Sequence, residues 1–155
     1  MRDAGIRPGD LVLDIGAGEG AITAPLVAAG ARVIAIELHA HRAQLLRARF
    51  ADDDVVVVRC DASDLRLPTR PFRVVANPPF AVTTALLRRL LHRHSRLVTA
   101  DLVLPRAAVV RWASGRGFGA PRFDLRMGRP LPRSALIPAP PNEVAVLHVR
   151  SQLGR

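Results

Sequence analysis

The 155-residue chain has no lysine, one cysteine, one tryptophan and five phenylalanines. A lone cysteine, Cys60, excludes an intrachain disulfide framework and a cysteine-rich zinc site. No apolar run approaches the ~20 residues of a membrane-spanning helix, and the first residues carry no apolar stretch of the signal-peptide kind. These absences predict a soluble, cytoplasmic monomer with no membrane partner. The five histidines (His39, His41, His92, His94, His148) lack ligand spacing, so no metal is expected and they read as surface residues. Acids are the minority charge: 13 against 23 basic residues, all arginine, for a net charge of +10. Arginine's planar fork suits phosphate, and such an excess gives salt-sensitive attraction to nucleic acid. A GC-rich coding bias would leave the same composition, so charge alone does not select a partner.

What the chain has in quantity is apolar residues, 49% of the total, enough to offset ordering entropy and exclude global disorder. The length fits one domain, residues 1–155, rather than two. Short apolar runs predict strands over 10–15, 31–37, 55–58 and 72–76, with helices over 19–29 and 40–50 between the first three. A helix over 83–91, a strand over 97–104 and a helix over 106–114 follow. Strands over 123–127 and 144–149, separated by the proline-rich stretch 130–141, close the chain. The alternation predicts an α/β fold: a doubly wound, Rossmann-like sheet, mostly parallel, with an antiparallel last strand.

Three motifs fall at the ends of predicted strands. Asp14-Ile15-Gly16-Ala17-Gly18-Glu19-Gly20 follows the first strand and leads into a helix, a place where glycines let backbone approach a ligand and N–H groups face an anion. Gly16, Gly18 and Ala21 also satisfy the dinucleotide pattern, with Glu37 at the end of the second strand, so a nicotinamide cofactor and S-adenosylmethionine both fit. Asp14 and the third glycine, Gly20, favour S-adenosylmethionine; Asp14 would either accept near its ammonium or cap the turn. Asp61, after the third strand, would accept from an adenine amine or cap the next turn. Asn77-Pro78-Pro79-Phe80 ends the fourth strand. The Asn77 side-chain oxygen and the Pro78 carbonyl can each accept one N–H of an exocyclic base amine, holding its nitrogen toward an electrophilic methyl, while Phe80 stacks on the base.

On these segments the chain resembles the ribosomal-RNA adenine N6-methyltransferases, and in particular the Erm family that modifies 23S ribosomal RNA. The likeness is carried by Leu11 to Gly20, Ala31 to Glu37 and Phe72 to Phe80, with Arg133-Ser134-Ala135 and Pro138 to Pro141 resembling the family's late loop. It implies S-adenosylmethionine as cofactor, one adenine of the peptidyl-transferase loop as target, and resistance to macrolide, lincosamide and streptogramin B antibiotics. It further implies that Asp14, Gly16, Ala17 and Gly18 line the methionine end, Glu37 and Leu38 the ribose side, and Asp61 with Ala62 the cofactor adenine. Asn77, Pro78 and Phe80 would hold the target base, Asn77 also bordering the cofactor. Relatives carry a longer N-terminal cover with a Gln-Asn-Phe-like motif where this sequence has residues 1–9, a helical C-terminal lobe, and a phenylalanine where Leu136 stands. The expectation is a shortened cover and RNA docking on the domain's own arginines, with Arg111, Arg116, Arg122 and Arg133 as the leading phosphate contacts. A DNA adenine methyltransferase, a catalytically impaired cofactor- or RNA-binding domain, and a nicotinamide-dependent oxidoreductase are the competing readings; the last leaves Asn77 to Phe80 unexplained.

Overall fold

The computed structural model describes residues 5–115, 122–136 and 139–152. Seven strands, β1 (Leu11–Ile15), β2 (Arg32–Ile36), β3 (Val55–Val58), β4 (Phe72–Ala76), β5 (Leu97–Pro105), β6 (Phe123–Leu131) and β7 (Val144–Ser151), form one sheet in the order β3-β2-β1-β4-β5-β7-β6. The first five run parallel; β7 is antiparallel to both β5 and β6. Four helices complete the fold: α1 (Thr23–Ala28), α2 (Ala40–Arg49), α3 (Thr83–Leu90) and α4 (Arg106–Ala113).

Successive strand residues point to opposite faces, and the buried pattern follows that rule. Leu11, Leu13 and Ile15 of β1 join Leu86, Leu87 and Leu90 of α3 and Val109 and Trp112 of α4 in the larger core. Val12, between them, turns the other way and packs with Leu26 of α1, while Ala35 of β2 packs with Leu46 and Phe50 at α2. Every residue of β1 is buried, the signature of a central parallel strand.

Three local expectations are corrected. The first helix begins at Thr23, not at residue 19, because the glycine turn continues through residue 22. The Gly20 N–H donates to Ala17 O (2.8 Å) with Gly20 at φ +87°, where a side chain is strained. A Cβ there would also lie 2.7 Å from the Phe50 ring, so Gly20 permits α2 to pack and does not line the ligand cleft. Second, β6 runs on through Pro130 into the expected loop. It is an edge strand, where a residue without N–H is tolerated, and its register against β7 shifts between Met127 and Pro130. Third, His148 is no plain surface residue. It sits opposite Asp101 across β5 and β7, Nδ1 lies 2.5 Å from Asp101 Oδ1, and its ring occupies the space where Gly128 has no side chain.

Candidate active site

Because β1 to β4 are parallel, their carboxyl ends meet at one edge, and the order reverses between β1 and β4. Ligand crevices form outside such a switch point. Here the crevice is a cleft of about 600 Å³, within the usual size of a small-molecule site. Its walls include Gly16 and Gly18 after β1, Glu37 and Leu38 after β2, Asp61 and Ala62 after β3, and Asn77, Pro78 and Phe80 after β4. Leu136, Ala139, Pro140 and Pro141 from the loop between β6 and β7 close the remaining side.

Glu37 is the organiser of the floor. It is buried, and both carboxylate oxygens are engaged: Oε2 accepts the Gly18 N–H and Oε1 the His39 N–H, each at 2.9 Å. The carboxylate thus fixes the glycine turn and the approach to α2 together, and each oxygen keeps a further lone pair for a ligand hydroxyl. The N–H groups of Gly16 and Ala17 donate to Ile36 O, so Ala17 acts through the turn and lies buried beside the cleft, not in its wall. Gly16, at φ +78°, is needed for close approach: a Cβ would stand 3.1 Å from Pro79 Cδ and 3.4 Å from Asn77 O. The glycine turn and the Asn77–Phe80 segment therefore touch directly.

Asp14 is fully buried, behind the turn and outside the cleft wall. Thr23 Oγ1 donates to its Oδ2 (2.7 Å), and Oδ1 has no hydrogen-bond partner. An orphaned buried carboxylate oxygen calls for a donor from water or a ligand. Burial raises its pKa from an ordinary 3.8 to about 6, against the lowering effect of Thr23 and with a smaller push from the Glu37 charge. Folding therefore tightens the proton on Asp14. Unfolding free energy is expected to fall as pH rises from about 4 through about 6, by on the order of 2–3 kcal/mol, and to level off above. Urea titrations of the chain and of Asp14→Asn check this: the asparagine variant should lose that segment of the pH slope.

Asp61 caps the short 3-10 turn Ala62–Asp64, its Oδ1 accepting from Ser63 N and Ser63 Oγ, each at 2.8 Å. These bonds lower its pKa. Oδ2 takes no part in them, so capping and ligand contact are compatible in one side chain. Sequence reasoning missed three further wall residues. His39 and Arg42 come from the start of α2, and Cys60 directly precedes Asp61. The signal was available: residues two and five positions after Glu37 flank the same strand end.

The arginines separate. Arg111 is exposed on α4. Arg122 is turned inward, donating to Arg93 O and to Ser95 O (2.8 Å) beneath an exposed loop, which takes it out of the expected phosphate track. Arg116 and the side chain of Arg133 lie outside the described residues. Among the described residues no cluster of three His, Cys, Asp or Glu could hold a metal, and no helix is long and apolar enough to cross a membrane.

Comparison with known proteins gives this cleft a lineage. The family model "Ribosomal RNA adenine dimethylase" matches residues 1–122. An rRNA adenine N-6-methyltransferase of Corynebacterium diphtheriae is 34% identical over 90% of this chain and 57% of its own length. Mycinamicin-resistance protein MyrB of Micromonospora griseorubida is 35% identical over 88% of this chain and 45% of its own. The chain thus spans about half the length of these curated relatives. The crystal structure of 23S rRNA methyltransferase ErmE superposes with a TM-score of 0.86 at 25% identity, covering 98% of this chain and 65% of that one. A dimethyladenosine transferase from Plasmodium falciparum shares the fold (TM-score 0.81, 21% identity, 97% and 59% covered). With the matched segment holding the glycine turn, Glu37, Asp61 and Asn77 to Phe80, the chain belongs to the ribosomal RNA adenine dimethylase family.

Proposed function

We propose that the chain is the catalytic unit of an S-adenosylmethionine-dependent enzyme that methylates N6 of an adenine in 23S ribosomal RNA, and so confers macrolide, lincosamide and streptogramin B resistance. One observation carries the reading: Asn77-Pro78-Pro79-Phe80 lines the same cleft as the glycine turn and Glu37, and packs on Gly16. The 23S assignment is supported by the likeness to ErmE and MyrB.

The residues present fit the cofactor. Asp14 Oδ1 needs a donor, Glu37 offers acceptors for a ribose diol, and Asp61 Oδ2 with the Ala62 N–H suits an adenine edge beside Leu38. When bound, S-adenosylmethionine supplies a methyl group made electrophilic by its sulfonium. The protein's part is to present the nucleophile. An aryl amine is a weak nucleophile because its lone pair is delocalised into the ring. Asn77 Oδ1 and the Pro78 carbonyl accept its two N–H bonds, which favours a pyramidal nitrogen with its lone pair free and stabilises the positive charge that develops there. Two consecutive prolines hold these acceptors stiffly, and Phe80 supplies a stacking face for the extruded base.

Incubation with labelled S-adenosylmethionine and, separately, protein-free 23S RNA, assembled ribosomal subunits and DNA tests this. Label on N6-methyladenine of free 23S RNA is expected. Label confined to DNA, or none on any substrate with cofactor bound, overturns the reading.

A further inference from the structure

The inward Arg122 organises a second surface. Its guanidinium ties the loop after α3, at Arg93 and Ser95, to the start of β6, with the Phe123 ring 5.4 Å away. This loop lies at the amino ends of β4 and β5, the pole opposite the cleft, and the carboxyl end of β7 reaches the same pole. Four exposed arginines gather there. Arg93 and Arg96 sit on the loop, and Arg96 O accepts the Phe72 N–H (3.2 Å), which brings Arg70 alongside. Arg150 stands opposite Thr99 on β5 and Asp124 on β6.

None of the four is neutralised. Among the described residues, the arginine–carboxylate ion pairs form elsewhere, and the one acid nearby, Asp124, is taken by Arg126 at 2.7 Å. The far end of the same pole is acidic, with Asp52 to Asp54 ahead of β3. The field is therefore directed, basic on the β5–β6 side. From there the edge strand β6, nine residues and about 30 Å at ~3.3 Å per residue, runs to the other edge of the sheet. It exposes Arg126 and Arg129 and leads to the turn whose Leu136 lines the cleft.

We infer that this pole and the β6 edge form a second RNA-docking surface, gripping the phosphate backbone at a distance from the adenine held in the cleft. The inference rests on RNA being the substrate. It assigns to the pole the part of RNA affinity that does not depend on the target base.

The test compares the parent chain with Arg70→Ala/Arg93→Ala/Arg96→Ala, using a folded 23S domain transcript and a short single-stranded adenine oligonucleotide. Binding without cofactor is measured against salt. Each lost phosphate contact should lower the log–log salt slope by ~0.7–0.9, so the variant is expected to lose about 2 from that slope and roughly tenfold or more in transcript affinity. Its methyl transfer to the oligonucleotide and its urea midpoint should match the parent's. Arg129→Glu, alone on the edge strand, should weaken transcript binding in the same direction and covers the case of a misfolded triple variant. An unchanged slope and affinity in both variants overturns the inference. So does an unchanged RNA affinity with lost binding to anionic phospholipid vesicles, which would make the pole a membrane contact. Absence of methyl transfer by the parent chain defeats the methyltransferase reading instead, since the slope is read without turnover.

Discussion

Replacing Asn77 by alanine is expected to lower the rate of methyl transfer by about 10²–10³-fold, the usual cost of removing one preorganised group that meets charge developing in the transition state. The fold should survive, because Asn77 is half-buried in the cleft wall and its backbone oxygen, the atom that faces Gly16, is retained. Single-turnover rates at saturating cofactor and RNA separate this from a binding defect: the loss should appear in the rate constant, with cofactor affinity little changed. Pro78 contributes through a main-chain carbonyl, so substitution there cannot delete the acceptor and should act by loosening the loop. If Asn77→Ala turned over at the parental rate, the amine clamp would be abandoned.

Glu37→Ala is expected to act on the other half of the reaction, raising the cofactor dissociation constant about 10²-fold or more. Two losses combine. A carboxylate hydrogen bond contributes ~1.5–3 kcal/mol, and the variant removes the acceptors offered to the ribose. It also strands the N–H groups of Gly18 and His39, whose bonds to Glu37 hold the turn, so the thermal midpoint should drop as well. Glu37→Gln retains one acceptor oxygen and should fall between parent and alanine variant in both measurements. Calorimetric titration with S-adenosylmethionine reads the first effect and thermal unfolding the second. Wild-type affinity in Glu37→Ala would remove this residue from the cofactor site.

The legible part of the site has a geometrical reason. Gly16, Glu37, Asp61 and Asn77 each come directly after a strand, and parallel strands deliver their next residue to one edge. Strand periodicity and position were enough to bring them together. What escaped the sequence depends on contacts distant along the chain. Gly20 looked like a third ligand glycine but answers to Phe50, thirty residues on. Arg122 looked like a phosphate contact, yet its partners lie 27 and 29 residues earlier. The histidines read alike in sequence, whereas His39 borders the cleft and His148 pairs with Asp101. Asp14's raised pKa, too, follows from complete burial, which alternation within an all-buried strand does not reveal.

The reversed insertion of β7 between β5 and β6 has a consequence for synthesis. Translation delivers β6 before β7, yet β6 hydrogen-bonds to no other strand. While the ribosome is still making residues 144–151, the first five strands can assemble with β5 as a temporary border and β6 unattached. Only release of the final strand zips the two together and sets the wall formed by Leu136, Ala139, Pro140 and Pro141. The cleft is thus finished last, by the end of the nascent chain.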